Sequence, residues 1–162
     1  MPETADWDRL SHALMALHRT LIDRAKKEYE RVYEPVEGPG HFLRLLMEDR
    51  FFAWLRPLSE LMANIDQIRE LEAAARDEVS AAVRETIEQL LAAPSSSPLS
   101  TEFTSHYWPM VHDEPEVTMA HAGVKQAISA WPQPAKVDAA RLLHERHLLA
   151  EMVKHRPKRL RH

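Results

Sequence analysis

The residue types in this chain that can do chemistry are its ten histidines, with no cysteine among its 162 residues. The densest group is His144, His147, Glu151 and His155, with Glu145 beside it. His147/Glu151 and Glu151/His155 are four residues apart, so a helix carries them on one face, as a helical metal site requires. At about 100° per residue, that strip lies opposite Leu142, Leu149 and Val153. It therefore faces water or a partner. A bundle di-iron centre also needs two Glu-x-x-His motifs, and the sequence has none. His144, His147 and Glu151 are the candidate ligands if a metal binds; the expectation is a solvated face, with no metal and no cofactor.

Three further residues stand out. His18 falls among Leu14, Leu21 and Ile22 on an apolar helix face. There it is a ligand, a base or a core side chain bonded to a carbonyl, and the last is expected. His121, inside Met119-Ala120-His121-Ala122, either lines a pocket or packs between helices; packing is expected. Arg56 sits in the most apolar segment and needs a partner, with Glu60 or Asp66 in reach. An ion pair at the core edge is expected, with anion binding as the alternative. His41, just after Gly38-Pro39-Gly40, reads as a helix start. Ser11 and His12 are adjacent and diverge on a helix, so they make no triad. No nucleophile elbow, phosphate-binding glycine loop or zinc-protease motif is present. No catalytic residue is assigned, and a non-enzymatic protein is expected.

The elements that position these residues read as all-α. Three glycines leave little scope for hairpins or phosphate loops. Trp7, Leu10, Leu14, Leu17, Leu21, Ile22, Ala25, Tyr29 and Val32 recur at three- and four-residue steps, an amphipathic helix capped by Asp6 or Asp8. Pro35 and Gly38-Pro39-Gly40 end it. A short helix follows over His41 to Met47, with Phe42, Leu45 and Leu46 inward. Phe51, Phe52, Trp54 and Leu55 lead into Pro57 and the stripe Leu58, Leu61, Met62, Ile65, Ile68. Residues 57–92 form either one helix or two, since Glu70 to Arg76 is polar without a clear breaker. The stretch 94–98 is a loop. A short helix with Phe103 and Tyr107 inward follows, with Trp108 either inward or not and Pro109 either interrupting the helix or lying within it. The next starts at Asp113 to Glu116 and buries Val117, Met119, Ala120, Val124 and Ile128. A last helix runs from Pro134 to Lys154.

The expected fold is an antiparallel helical bundle of five or six helices, with an arm-like C-terminal helix. Residues 1–131 form the bundle; residues 132–162 supply the last helix and a basic tail packed on it. Lys154, Arg156, Lys158, Arg159 and Arg161 stand without an acid in the last nine residues, leaving 16 basic against 25 acidic residues elsewhere, a net −9. An acidic body does not favour nucleic acid, but the tail can contact an acidic surface. No apolar run approaches the ~20 residues of a membrane span. The opening MPETADWDRL is polar and acidic, unlike a signal peptide, so a cytoplasmic protein is expected. The apolar surplus of Phe51, Phe52, Trp54, Trp108 and Trp131, beside a detachable last helix, points to a protein partner or self-association as a dimer. A small-ligand or metal-binding bundle using the histidines is the alternative.

The stretch from His18 to Asp66 resembles an uncharacterised family of bacterial all-helical hypothetical proteins. In these a Tyr-Glu-Arg, here Tyr29-Glu30-Arg31, ends the first helix, and a phrase close to FAWLRPLSEL, here Phe52 to Leu61, follows. PEVTMAHAGV, Pro115 to Val124, is similar as well, and the resemblance extends to about Trp131. It implies no activity and no catalytic residues.

Overall fold

The computed structural model describes residues 5–94 and 102–133. Among these, six α-helices and one 3-10 helix account for the regular structure, with no strand: α1 Trp7–Val32, α2 Pro39–Glu48, the 3-10 helix Arg50–Leu55, α3 Arg56–Arg69, α4 Ala73–Leu90, α5 Glu102–Asp113 and α6 Pro115–Ile128. The expected loop at 94–98 lies almost wholly outside the described residues, and the expected last helix and basic tail do so entirely.

α1 begins where the sequence places it. Asp6 is the cap, its carboxylate accepting from the Arg9 amide at 3.0 Å, which satisfies one of the free donors of the first turn. Its inward stripe, Trp7, Leu10, Leu14, Leu17, Leu21, Ala25 and Tyr29, is buried. Beyond Tyr33, the Glu30 carboxylate accepts from the Val36 amide at 2.9 Å. Gly38 then adopts φ 93°, open to glycine without a Cβ clash. Pro39 follows at the first helical position of α2, where a missing N–H costs nothing. Phe42, Leu45 and Leu46 are partly buried against the core.

The aromatic segment is a 3-10 helix capped by Asp49, whose carboxylate accepts from the Phe51 amide at 2.8 Å. At three residues per turn, side chains two apart diverge by about 120°. Phe52, fully buried, thus meets Tyr29 at 5.4 Å and Phe42 at 5.8 Å. Trp54 instead turns to α5, 5.9 Å from Phe103 and stacked 4.9 Å from His106.

Two helices, not one, occupy 57–92. The break at Glu70 to Glu72 has neither Gly nor Pro. α3 tightens through Glu70 N to Gln67 O and Leu71 N to Ile68 O, three-residue bonds that satisfy terminal carbonyls. Arg76 of α4 reaches back to donate to the Arg69 carbonyl at 3.2 Å. Pro109 does not interrupt α5. It lies on the exposed side, and burial of Phe103, Tyr107 and Val111 on the opposite stripe offsets the roughly 3 kcal/mol a mid-helix proline costs. In α6, Met119 faces solvent at 75% exposure, a correction to the inward position expected from spacing, whereas Val117, Val124 and Ile128 are buried.

α6 lies along α1. Glu114, before its first turn, pairs with Arg24. Beyond its end, Trp131 packs edge-on against Trp7 at 4.6 Å, and Arg84 of α4 donates to the Trp131 carbonyl. The Trp131 ring is buried.

These contacts correct the aromatic surplus. Phe52, Trp54 and Trp131 are core, and Phe51 and Trp108 pack partly buried against it. Replacing Phe52 by Ala is expected to cost about 3–5 kcal/mol. Met119→Ala should stay within about 0.5 kcal/mol. Chemical denaturation followed by circular dichroism measures both; equal costs would contradict this assignment of the core.

Candidate functional site

The large apolar side chains left exposed are not aromatic rings of the 51–55 segment. They include Met15 at 55%, Leu43 at 57% and Met47 at 67% exposure. Each belongs to one concave surface. One part, about 560 Å³, is lined by His12, Met15, Arg19 and Ile22 of α1 and Met62 of α3. The adjoining part, about 390 Å³, lies between Ile22, Leu43, Leu46, Met47 and Leu55. His18 and Ile22 line both parts, so together they form one groove along the seam of α1 and α3, walled at one end by α2.

The local reasons follow from helical spacing. Residues 12, 15, 18/19 and 22 form a second stripe on α1, beside the buried one. α2 is too short to bury all its apolar positions: Phe42, Leu45 and Leu46 turn inward, and Leu43 and Met47 overhang the groove.

His18 supplies the polar contact of the groove. It is half-buried, not core, and its Nε2 is 2.8 Å from the Ser59 hydroxyl, with the direction of the bond following the tautomer. Burial lowers its pKa below the ordinary histidine value. The single Ser59 hydroxyl proton also has the Leu55 carbonyl in reach at 3.4 Å, an acceptor it uses when His18 Nε2 donates. Among the described residues, the hydrogen bond given for the His18 ring is the one to Ser59.

Arg56 is exposed at the groove rim. It pairs with neither Glu60 nor Asp66 as expected from sequence: its Nη2 donates to the Met47 carbonyl at 3.0 Å, fastening the end of α2 to the start of α3. Asp66 instead stands 3.8 Å from Arg69, which also binds Asp8. His121 is away from the groove. Its Nδ1 is 2.6 Å from the Tyr107 hydroxyl, and the bond ties α6 to α5. Burial lowers the His121 pKa, with Lys125 adding to it, and burial raises that of Tyr107. Burial and the bond between the two rings give both a packing role. His41 accepts from the Glu37 amide at 2.9 Å, as a helix-start residue. His144, His147 and Glu151 lie outside the described residues. Among the described residues no group of three or more His, Asp or Glu side chains could hold a metal ion, and no helix is long and apolar enough to cross a membrane.

A second cleft, about 420 Å³, lies on the other side of α2. Glu34, Glu37, Glu48 and Asp49 line it, with Arg44 the one arginine or lysine among its lining residues.

No protein-family model, curated protein or solved structure matches the chain. The site therefore rests on its geometry.

Because folding lowers the His18 pKa, the unfolded chain binds the extra proton first as pH falls. The stability tied to neutral His18 is fully present above the ordinary value near 6.5 and is lost as pH falls through it toward the lowered folded value. His18→Gln keeps a hydrogen-bonding side chain and should reduce the fall in Tm between about pH 7 and about pH 5. A thermal melt series measures this, and an unchanged fall would contradict the burial of His18.

Proposed function

We propose that this protein works without catalysis, by protein–protein contact, and that the groove between α1 and α3 receives an apolar segment of a protein partner or of a second copy. The observation that carries this reading is the gathering of Met15, Leu43 and Met47, each more than half exposed, on one concave surface. Scattered apolar residues on a surface are ordinary, but a contiguous patch in a concavity marks an interaction site. Methionine suits such a surface because its flexible, polarisable side chain adapts to differing partners. An amphipathic helix laying its apolar face into a groove is the recognition mode that fits an elongated seam between two helices. The rim residues His12, Arg19 and Arg56 favour a partner with acidic flanks.

An antiparallel bundle, a cytoplasmic location and kinship with the bacterial family that His18 to Asp66 resembles belong to the same proposal. The arrangement is supported by the two ends of α6, one paired with Arg24 and the other beyond it at Trp7. A small apolar ligand is the second reading. The 390 Å³ part falls within the size range of ligand sites, and its few polar groups include the His18–Ser59 pair.

Met15→Asp combined with Met47→Asp places two charges on the groove without touching the buried core. In a size-exclusion experiment on protein from its native source, the unaltered chain is expected to co-elute with a polypeptide. The double variant should lose at least about tenfold in retained partner, a ~1.4 kcal/mol change. Equal retention by both, with unchanged helicity, would refute the groove as the contact surface.

A further inference from the structure

We propose that the occupant of the groove is a segment of a different protein, an amphipathic helix whose apolar face is flanked by carboxylates, and that Arg19 is the residue that selects it. The inference rests on the reading of the groove as a protein-docking surface. It names the kind of partner and sets aside a second copy of this chain.

The first observation is the sign of the lining. His12, His18, Arg19 and Arg56 are the titratable side chains of the groove, and no Asp or Glu lines either part. The chain as a whole carries 25 acids against 21 lysines and arginines. Two other clefts follow that balance. One of about 700 Å³, at the start of α1, is lined by four carboxylates and two arginines. The one beyond α2 is lined by four carboxylates and one arginine. Of the three, the groove alone joins an apolar floor to bases without an acid.

The second is that one of these bases is uncommitted. Arg24 and Arg31, the next two arginines of α1, hold Glu114 and Glu28. Arg56 is bonded to the Met47 carbonyl and His18 to Ser59. Arg19 is exposed and makes no ion pair or hydrogen bond among the described residues. In α1 it falls between Met15 and Ile22, which are roughly 10 Å apart along the axis. A helix laid along that seam covers the same distance from its residue i to i+7, the row by which such helices anchor. An acid beside that row is in reach of the long Arg19 side chain. An exposed pair of this kind contributes selectivity and association rate more than affinity.

The third observation disfavours self-pairing. A two-fold dimer sets the same patch against itself. Two concave surfaces would leave a void between them, and the bases of one copy would face those of the other. Head-to-tail pairing needs an exposed apolar row elsewhere on the chain. Among the described residues, the large apolar side chains exposed outside the groove are Val32, Tyr33 and Met119. The Tyr33 ring is held 5.0 Å from Tyr29 and 5.9 Å from Phe51, and Met119 is the one such residue of α6. Residues 134–162 carry eight bases and three acids, the wrong sign for a base-lined groove.

Two synthetic helical peptides test this on the full chain. Both carry leucine at i, i+4 and i+7; glutamates flank the row in one and lysines in the other. Fluorescence anisotropy at low salt, where exposed charges are weakly screened, reads the binding. The glutamate peptide is expected to bind at least about tenfold tighter. Arg19→Glu should cut that preference to about threefold or less, with unchanged circular dichroism. Met15→Gln with Met47→Gln removes apolar surface without adding charge and should weaken both peptides. Equal binding of the two peptides, weakened in both by the glutamine pair, keeps the docking groove and overturns the acidic partner. A preference unmoved by Arg19→Glu overturns the role of Arg19. Binding that ignores the glutamine pair, or no binding of either peptide, overturns the groove and this inference together. Self-association in sedimentation velocity that the glutamine pair abolishes would put a second copy in the groove instead.

Discussion

The divergence of Phe52 and Trp54 from one short 3-10 helix is the constraint on which the rest of the described structure depends. Three residues per turn send two adjacent-but-one rings to different neighbours. Phe52 joins Tyr29 of α1 and Phe42 of α2, and Trp54 joins Phe103 and His106 of α5. An α-helical turn would place these rings nearly opposite one another instead. The 3-10 geometry is held at its start by Asp49 and at its end by the proline of α3. Arg56, at that same junction, binds the Met47 carbonyl and fixes the tilt of α2 over the groove.

The groove is a consequence of this arrangement. With the rings of the 51–55 segment packed in or against the core, the apolar lining of the groove is mostly methionine, leucine and isoleucine. α2 cannot bury both of its apolar faces, and α1 carries a second stripe beside the one that α6 covers. The polar contact within the groove, His18 with Ser59, is satisfied locally, and burial lowers the histidine's pKa. That leaves a surface able to accept an apolar segment without stranding a charge.

Much of the helical organisation was legible from residue spacing. The α1 stripe, its Asp6 cap and its Pro/Gly end follow from local rules. Other features were not legible, for identifiable reasons. The α3–α4 break lacks Gly and Pro and is closed by Arg76, seven residues from the carbonyl it binds. Pro109 stays inside α5 because tertiary burial outweighs a local cost. Arg56 was expected to pair with an acid nearby in sequence, yet its acceptor is a backbone carbonyl nine residues earlier, which side-chain spacing does not reveal. His18 was legible as an unusual position, but its groove was not. Met15, Met47 and Leu43 are single residues in sequence and become a surface only when α2 folds against α1 and α3.

The central claim, that the groove takes polypeptide and not a small ligand or metal, is tested most directly by native mass spectrometry on freshly purified, untagged protein. The account predicts masses made of polypeptide alone, whether one chain, two, or the chain with a protein partner. A retained metal ion or small molecule in stoichiometric amount would contradict it and make His18 the first residue to replace.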